Sequence, residues 1–360
     1  MLVKTICIVL GILILALLAY IVYLYASYYR IEDNQELVVE APVDDTTTGA
    51  AAVLATDTEY SAVTYNIGFG AYLRDYSFFM DGGTSSWAES PETVQYAING
   101  AGELVKSLDP DFALIQEIDL DATRSYHTDE YEMLRSLLPE YTTVFAQNYD
   151  SAFLFYPFTQ PHGSSRAGLG LFSKYPVSSA LRRSFPISTS FSKFFDLDRC
   201  YSVSRIPVDN GKELVIFNLH MSAYGNSDEI RKGQIEMLCN DMAKEYEAGN
   251  YVLCGGDFNH DLKASEEDAE NCESWAFPFP RTELPEHFAF CLDLLSSEER
   301  KSLWNSARNA DMEYVPGVTY TVTLDGFIIS DNIECLSYEN VNTGYSYSDH
   351  DPVKMEFVLK

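Results

Sequence analysis

The sequence predicts an α/β fold: two packed sheets flanked by helices in one domain, behind a single N-terminal membrane helix. Three observations carry this reading. Short apolar runs of strand-like composition recur through residues 59–360, with few helical patterns between them. A long charge-free stretch opens the chain. Polar groups suited to metal and phosphate stand where several of the apolar runs end, and strand ends are where a rigid scaffold presents side chains to a cleft.

Residues 1–30 read as a signal anchor. Thr5 to Tyr29 carries no charge, and Ile6 to Ala26 is almost wholly apolar. About 20 such residues, rising ~1.5 Å each as a helix, cross a ~30 Å hydrocarbon core. A cleaved signal peptide has a shorter apolar region and a small-x-small site after it, and neither is evident. Lys4 and the amino terminus precede the span, and Glu32 and Asp33 follow it. The bulk of the chain is therefore expected to face outward, with Arg30 weakening the asymmetry. Residues 31–58 contain Asp44-Asp45-Thr46-Thr47-Thr48-Gly49-Ala50, acidic and small, and are expected to form a mobile tether.

From Tyr60 onward the strand readings are Ser61–Ile67, Phe112–Gln116, Gly168–Ser173, Cys200–Pro207, Leu214–Leu219, Tyr251–Gly255, Phe327–Ser330 and Val353–Leu359. Val94, Ile98, Ala101, Leu104 and Val105 fall at helical spacing. A second helix is expected over Asp228–Glu247, with Ser227 as N-cap, Ile230, Ile235, Leu238 and Met242 as its apolar face, and Gly249 as its stop. Residues 261–320 lack clear periodicity and read as a structured excursion with a small core of its own, or as a lip over the substrate.

Residues 1–31 hold two bases and no acid, so the rest of the chain carries 22 Lys and Arg against 54 Asp and Glu. Such a surface repels nucleic acid, whose affinity rests on cations meeting phosphates. An anionic substrate remains compatible, because a bound metal ion can dominate the field of a site. The seven cysteines follow no metal-ligand spacing and leave one or two disulfides open.

The chemistry lies in five places. Asn66 follows the first strand, and Glu117 ends the second in Leu114-Ile115-Gln116-Glu117. His220 ends Phe217-Asn218-Leu219-His220, and Gly255-Gly256-Asp257-Phe258-Asn259 follows a buried strand. The fifth is a pair, Leu324-Asp325-Gly326 and Ser348-Asp349-His350-Asp351-Pro352-Val353. A carboxylate such as Glu117 suits a hard cation, and a His oriented by an acid can take a proton at neutral pH.

In this order the motifs resemble those of the endonuclease/exonuclease/phosphatase family, over about residues 60–360. The resemblance implies a four-layer sandwich of two central mixed sheets between helices, and metal-dependent hydrolysis of phosphate esters. It implies Glu117 as principal Mg²⁺ ligand (Mn²⁺ as an alternative), with Asn66 nearby and Asp349 close to the metal. His350 is implied as base or electrostatic partner of the attacking water, with Asp325 orienting its ring. His220 and Asn259 would hold the scissile phosphate, and Asp257 would activate water or serve the leaving group. The division of labour between Asp257 and His350 stays open.

Some nucleases of the family carry a second acid where this chain has Gly68, which leans toward the sphingomyelinase and phosphatase branches. The expected activity is that of a membrane-anchored phosphoesterase acting on a lipid headgroup or small phosphoester. An extracellular nuclease and a non-catalytic binding module are the alternatives. Arg166 is read as a surface ion pair and Tyr156 as core. Residues 72–92, 150–166, 184–199 and 261–320 are where specificity is expected to reside.

Overall fold

The computed structural model describes residues 1–44, 53–223, 228–264 and 275–360. The strands are β1 (Gln35–Glu36), β2 (Val39–Glu40), β3 (Glu59–Asn66), β4 (Phe112–Ala122), β5 (Thr142–Asp150), β6 (Ser165–Ser173), β7 (Ser179–Ser184) and β8 (Cys200–Pro207). They continue with β9 (Glu213–His220), β10 (Tyr251–Asp257), β11 (Phe288–Phe290), β12 (Ala307–Arg308), β13 (Thr321–Val322), β14 (Asp325–Ser330), β15 (Ile333–Asn340) and β16 (Val353–Leu359). The helices are α1 (Leu2–Ser27), α2 (Pro91–Leu108), α3 (Glu130–Leu137), α4 (Asp228–Glu247) and α5 (Ser297–Ser302).

Two seven-stranded sheets form the centre, ordered β1-β7-β8-β9-β10-β14-β11 and β15-β16-β3-β4-β6-β5-β2. Both are mixed, since β9 and β10 run parallel in the first, β3 and β4 in the second, and their other neighbours run antiparallel. Alternation along β4 sorts its side chains between two cores. Phe112 and Leu114 enter the layer between the sheets with Phe217, Leu253, Phe327 and Phe357. Ala113 and Ile115 face outward onto Val94, Ile98 and Val105 of α2 and Leu134 of α3. Burial on both faces explains why these strands read as continuous apolar runs.

Helix α2 follows its expected apolar stripe and starts at Ser90, whose hydroxyl caps the Thr93 amide with Pro91 in the first turn. In α4, Ile235, Leu238 and Met242 are buried as expected and the helix stops before Gly249. Its expected N-cap, Ser227, lies outside the described residues. The sequence reading missed β5, β7, β15, α3 and α5, besides the two- and three-residue strands. In β15, Glu334, Leu336, Ser337 and Glu339 face solvent, so no apolar run marks it. Helix α3 is too short for its period to register.

The described parts of 31–58 depart from the mobile tether. β1 pairs with β7 and β2 with β5, one on an edge of each sheet. Arg182, fully buried, donates to the carbonyls of Gln147, Glu32 and Asp198, which binds residue 32 to the domain. Leu54 is fully buried, and its N–H and C=O bond Pro207 and Asp209. The acidic centre of the segment, residues 45–52, lies outside the described residues. Between 261 and 320 the described chain folds as a structured excursion, with Ala276, Ala307, Val322 and Leu324 clustered under Trp275.

Helix α1 is long and apolar enough to cross a membrane, at 26 residues. Only its C-terminal end touches the domain. Tyr20 donates to the Phe153 carbonyl, the Tyr23 hydroxyl accepts from the Phe153 amide, and Leu24 packs on Leu154 and Phe194.

Leu54→Ala is expected to destabilise the protein by about 2–4 kcal/mol, the cost of a core cavity. Urea unfolding followed by tryptophan fluorescence measures this; a change near zero would restore the free tether through residue 54.

Candidate active site

Strand register sets the site. Asp257 lies opposite His220 on one side and Asp325 on the other, so the last residues of β9 and β10 and the first of β14 form a row. On the facing sheet, β3 ends at Asn66 beside Gln116 of β4. The turn before β16 supplies Asp349 and His350 and is tied to β3 by the Ser348 hydroxyl, which donates to the Asn66 carbonyl at 2.9 Å. All eight residues expected at the site are therefore at one end of the two sheets.

Local backbone aims them. The ladder of β4 slips between Ile115 and Ile118, and Glu117 takes φ +56° in that bulge, a conformation that disfavours a Glu and costs about 1–3 kcal/mol. At Gly256, φ is +147° and a Cβ would stand 2.1 Å from the Leu219 carbonyl oxygen, so only glycine lets β10 lie this close to β9. Gly68 has φ +55°, and a Cβ there would press on Tyr72, Ser348 and Asp349. The missing second acid is thus matched by a backbone position at which any side chain would be strained.

Asn66 stands between two carboxylates. Its Oδ1 accepts the Gly68 N–H at 3.0 Å, while its Nδ2 donates to Glu117 at 3.2 Å and Asp257 at 3.1 Å. The Gly68 amide orients the side-chain amide, so that Asn66 Nδ2 bridges the two carboxylates.

His350 Nδ1–H donates to Asp325 Oδ2 at 2.7 Å, and its Nε2 lies 3.9 Å from Asp257. Burial pulls the His350 pKa down, but the charges of Asp325, Asp257 and Asp349 outweigh it and hold it well above the ordinary 6.5. His220 goes the other way: burial, then the nearby charges of Arg199, His350 and Arg124, keep it neutral. Its Nε2 is 3.5 Å from Asp257 and 3.8 Å from Glu117. The Asn259 amide N–H caps Asp257 at 2.8 Å and its side chain donates to the Met221 carbonyl at 2.9 Å.

These groups open on a cavity of about 410 Å³ whose wall includes Glu117, His220, Asp257, Asn259, Asp349 and His350. Four residues not singled out from sequence belong to the same neighbourhood. Asp81 lines the cavity with its pKa pushed up to about 7 by burial and then by Asp349, Glu117 and Asp311. Arg124 is held by both oxygens of Asp119 and lies 3.6 Å over the Phe69 ring. Arg199 lines the wall, and Ser306 donates to Asp325 Oδ2 at 2.7 Å, steadying the carboxylate behind His350. Each is a single residue outside any readable motif. All but Arg124 fall in or beside the segments expected to set specificity, which also supply His162, Phe195 and Trp275 to the wall.

Arg166 pairs with Asp121 at the surface, as read. Tyr156 does not enter the core; it is exposed, against Phe158 and Phe79. The six described cysteines are unpaired, and Cys272 lies outside the described residues.

The donor chemistry fits a divalent cation. Glu117 and Asp349 have raised pKa values from burial, and the charge of Asp349 raises Glu117 further. Buried carboxylates that raise one another are relieved by a cation among them. Asp257, Asp325 and His350 also place ligand atoms within 4.8 Å of one another.

These residues converge on one cavity, an arrangement that supports a hydrolytic role. The chain belongs to the endonuclease/exonuclease/phosphatase family, whose model matches residues 63–294. Its members are hydrolases of phosphoester bonds that generally use divalent metals. No curated protein matches the chain by sequence. Among solved structures, an endonuclease/exonuclease/phosphatase from Beutenbergia cavernae matches with TM-score 0.56 at 15% identity, covering 84% of this chain and 72% of that one. TDP2 of D. rerio, complexed with a single-strand DNA product, matches with TM-score 0.55 at 14% identity, covering 84% and 99%. The human Nocturnin catalytic domain, with bound sulfate, matches with TM-score 0.53 at 18% identity, covering 84% and 95%. At these identities the likeness is one of fold.

Asp81 and Asp257 are both raised from 3.8 to about 7. An acid raised on folding favours the folded state at low pH, and that contribution is lost as pH climbs through the raised value. Without metal, stability should therefore fall between pH about 4 and about 7. Mg²⁺ should raise the melting temperature more at pH 8 than at pH 5. Differential scanning fluorimetry in chelator and in Mg²⁺ checks this; an equal Mg²⁺ effect at both pH values would contradict it.

Proposed function

We propose that this protein is a membrane-anchored, divalent-cation-dependent phosphoesterase that hydrolyses a lipid headgroup or a small phosphoester. The observation that carries the reading is the convergence, in one cavity, of an oriented imidazole, a carboxylate with pKa about 7, and a second group of acids suited to a cation.

Glu117 and Asp349 would hold the cation (Mg²⁺, with Mn²⁺ as an alternative), and Asn66 would position Glu117 from behind. The cation, when bound, neutralises phosphoryl oxygens and stabilises the leaving oxygen. His220 and Asn259 grip the scissile phosphate. Asp257 takes a proton from the attacking water, since a base poised near the working pH is effective. His350, kept protonated by Asp325, donates from Nε2 to a non-bridging oxygen. The water oxygen bonds to phosphorus as the ester P–O bond breaks, and the departing oxygen takes its proton from solvent.

Membrane placement supports a lipid substrate. Tyr25, Tyr28 and Phe194 pack together where α1 meets the domain, and the same loop continues into Phe195, Asp196 and Leu197 of the cavity wall. One stretch of the cavity wall is therefore joined directly to the loop that packs on a helix able to span a bilayer. The charges around that helix favour an extracytoplasmic domain. A nuclease is the second reading, favoured by the DNA product in the D. rerio structure and opposed by the acidic composition.

The test is hydrolysis by the full chain in detergent, with and without Mg²⁺, of phospholipids, small phosphoesters and DNA. Mg²⁺-dependent turnover of a lipid or small ester is expected, lowered about 10²–10⁴-fold in Glu117→Ala, Asp257→Asn and His350→Ala. The rate should fall as pH drops below about 7, and this limb should vanish in Asp257→Asn. Turnover confined to DNA would establish the nuclease instead.

A further inference from the structure

Arg199 is buried, and two of its three guanidinium nitrogens have no partner among the described residues. It immediately precedes β8, is 7% exposed and lines the cavity. Its Nε and Nη1 make no hydrogen bond, and it forms no ion pair among the described residues. The other buried arginines differ: Arg124 has Asp119, Arg182 has three carbonyls, and Arg308 donates to the carbonyls of Asn309, Met312, Tyr72 and Leu73. A buried charge without a partner is strongly unfavourable, so a site that keeps one is built for something that arrives.

Asn148 is a second such group on the same cavity wall. It is 1% exposed, lines the same cavity, and its Nδ2 has no partner. The backbone makes this pairing. The ladder of β5 slips between Gln147 and Tyr149, leaving Asn148 as the bulged residue. The adjacent Gln147 carbonyl meets the Cys200 thiol at 3.8 Å, where the two sheets touch. Residues 148 and 199 thus flank one inter-sheet contact, each turned to the cavity. Bulges serve to re-aim side chains in this way beside active sites.

We infer that Arg199 and Asn148 form an anion subsite next to the hydrolytic centre, which takes a second phosphate-like group of the substrate. This rests on the phosphoesterase reading and narrows it: the substrate is a phosphoester bearing another anionic group, and a cationic headgroup of choline type is disfavoured there. The unpartnered atoms here, Arg199 Nε and Nη1 and Asn148 Nδ2, are all donors, which is the chemistry of phosphate recognition. Arg199 acts on His220 electrostatically, so the subsite adjoins the scissile position.

The test uses the full chain in detergent with Mg²⁺, and glucose monophosphate, glucose bisphosphate and phosphocholine as probes. The wild type should prefer the bisphosphate. Arg199→Met should reduce the bisphosphate-to-monophosphate ratio of kcat/KM about ten- to hundredfold, the scale of one charge-assisted hydrogen bond. Asn148→Ala should reduce it less, and Arg199→Lys should restore part of it. Melting separates binding from packing. Without anion, Arg199→Met should melt higher than the wild type because an uncompensated charge is gone, and inorganic sulfate should stabilise it less. A lower melting temperature with an unchanged substrate ratio would make Arg199 structural and overturn the subsite. If the wild type hydrolysed none of the probes yet lost its sulfate response in Arg199→Met, the subsite would stand and the phosphoesterase reading would fail.

Discussion

The burial of several carboxylates around one cavity is the constraint on which the rest of this structure depends. Asp81, Glu117, Asp257 and Asp349 share one cavity, and burial raises all four. Loops alone would let such groups drift apart into water. Here they are fixed to the ends of two sheets whose interior is closed by Leu114, Phe217, Leu253 and Phe327. The core stabilises an arrangement that the site itself opposes, as is common where a protein keeps groups poised for chemistry.

Small backbone devices convert that scaffold into geometry. The β4 bulge turns Glu117 inward, and the β5 bulge does the same for Asn148. Gly256 lets β9 and β10 approach, so His220 and Asp257 become lateral neighbours. Asn66 links the sheets by donating to a carboxylate from each. His350 is then oriented by Asp325, which Ser306 steadies in turn. An imidazole fixed through such a chain keeps one nitrogen for the cavity.

Much of this was legible because both core and site obey short-range rules. Runs such as Tyr251–Gly255 and Phe327–Ser330 are apolar on both faces, so their strands and the polar residues ending them stand out together. The helical stripe of α2 was equally plain. Asp81, Arg124 and Arg199 were not legible, since each reaches the cavity through a turn or loop and has no spacing relation to the motifs. The tether misled for a related reason: its composition suggested mobility, while two-residue strands and the buried Leu54 need tertiary partners to be recognised. The hydrogen bonds of Asn66 were not legible either, since the Gly68 N–H decides which end of the amide faces the carboxylates.

Where a divalent cation binds tests the central claim most directly. The protein would be crystallised with Mn²⁺ and the ion located by its anomalous scattering. The account predicts an ion ligated by Glu117 and Asp349, with Asn66 still donating to Glu117 and His350 still bound to Asp325. An ion seated instead between Asp257, Asp325 and His350, with the His350–Asp325 hydrogen bond broken, would contradict it.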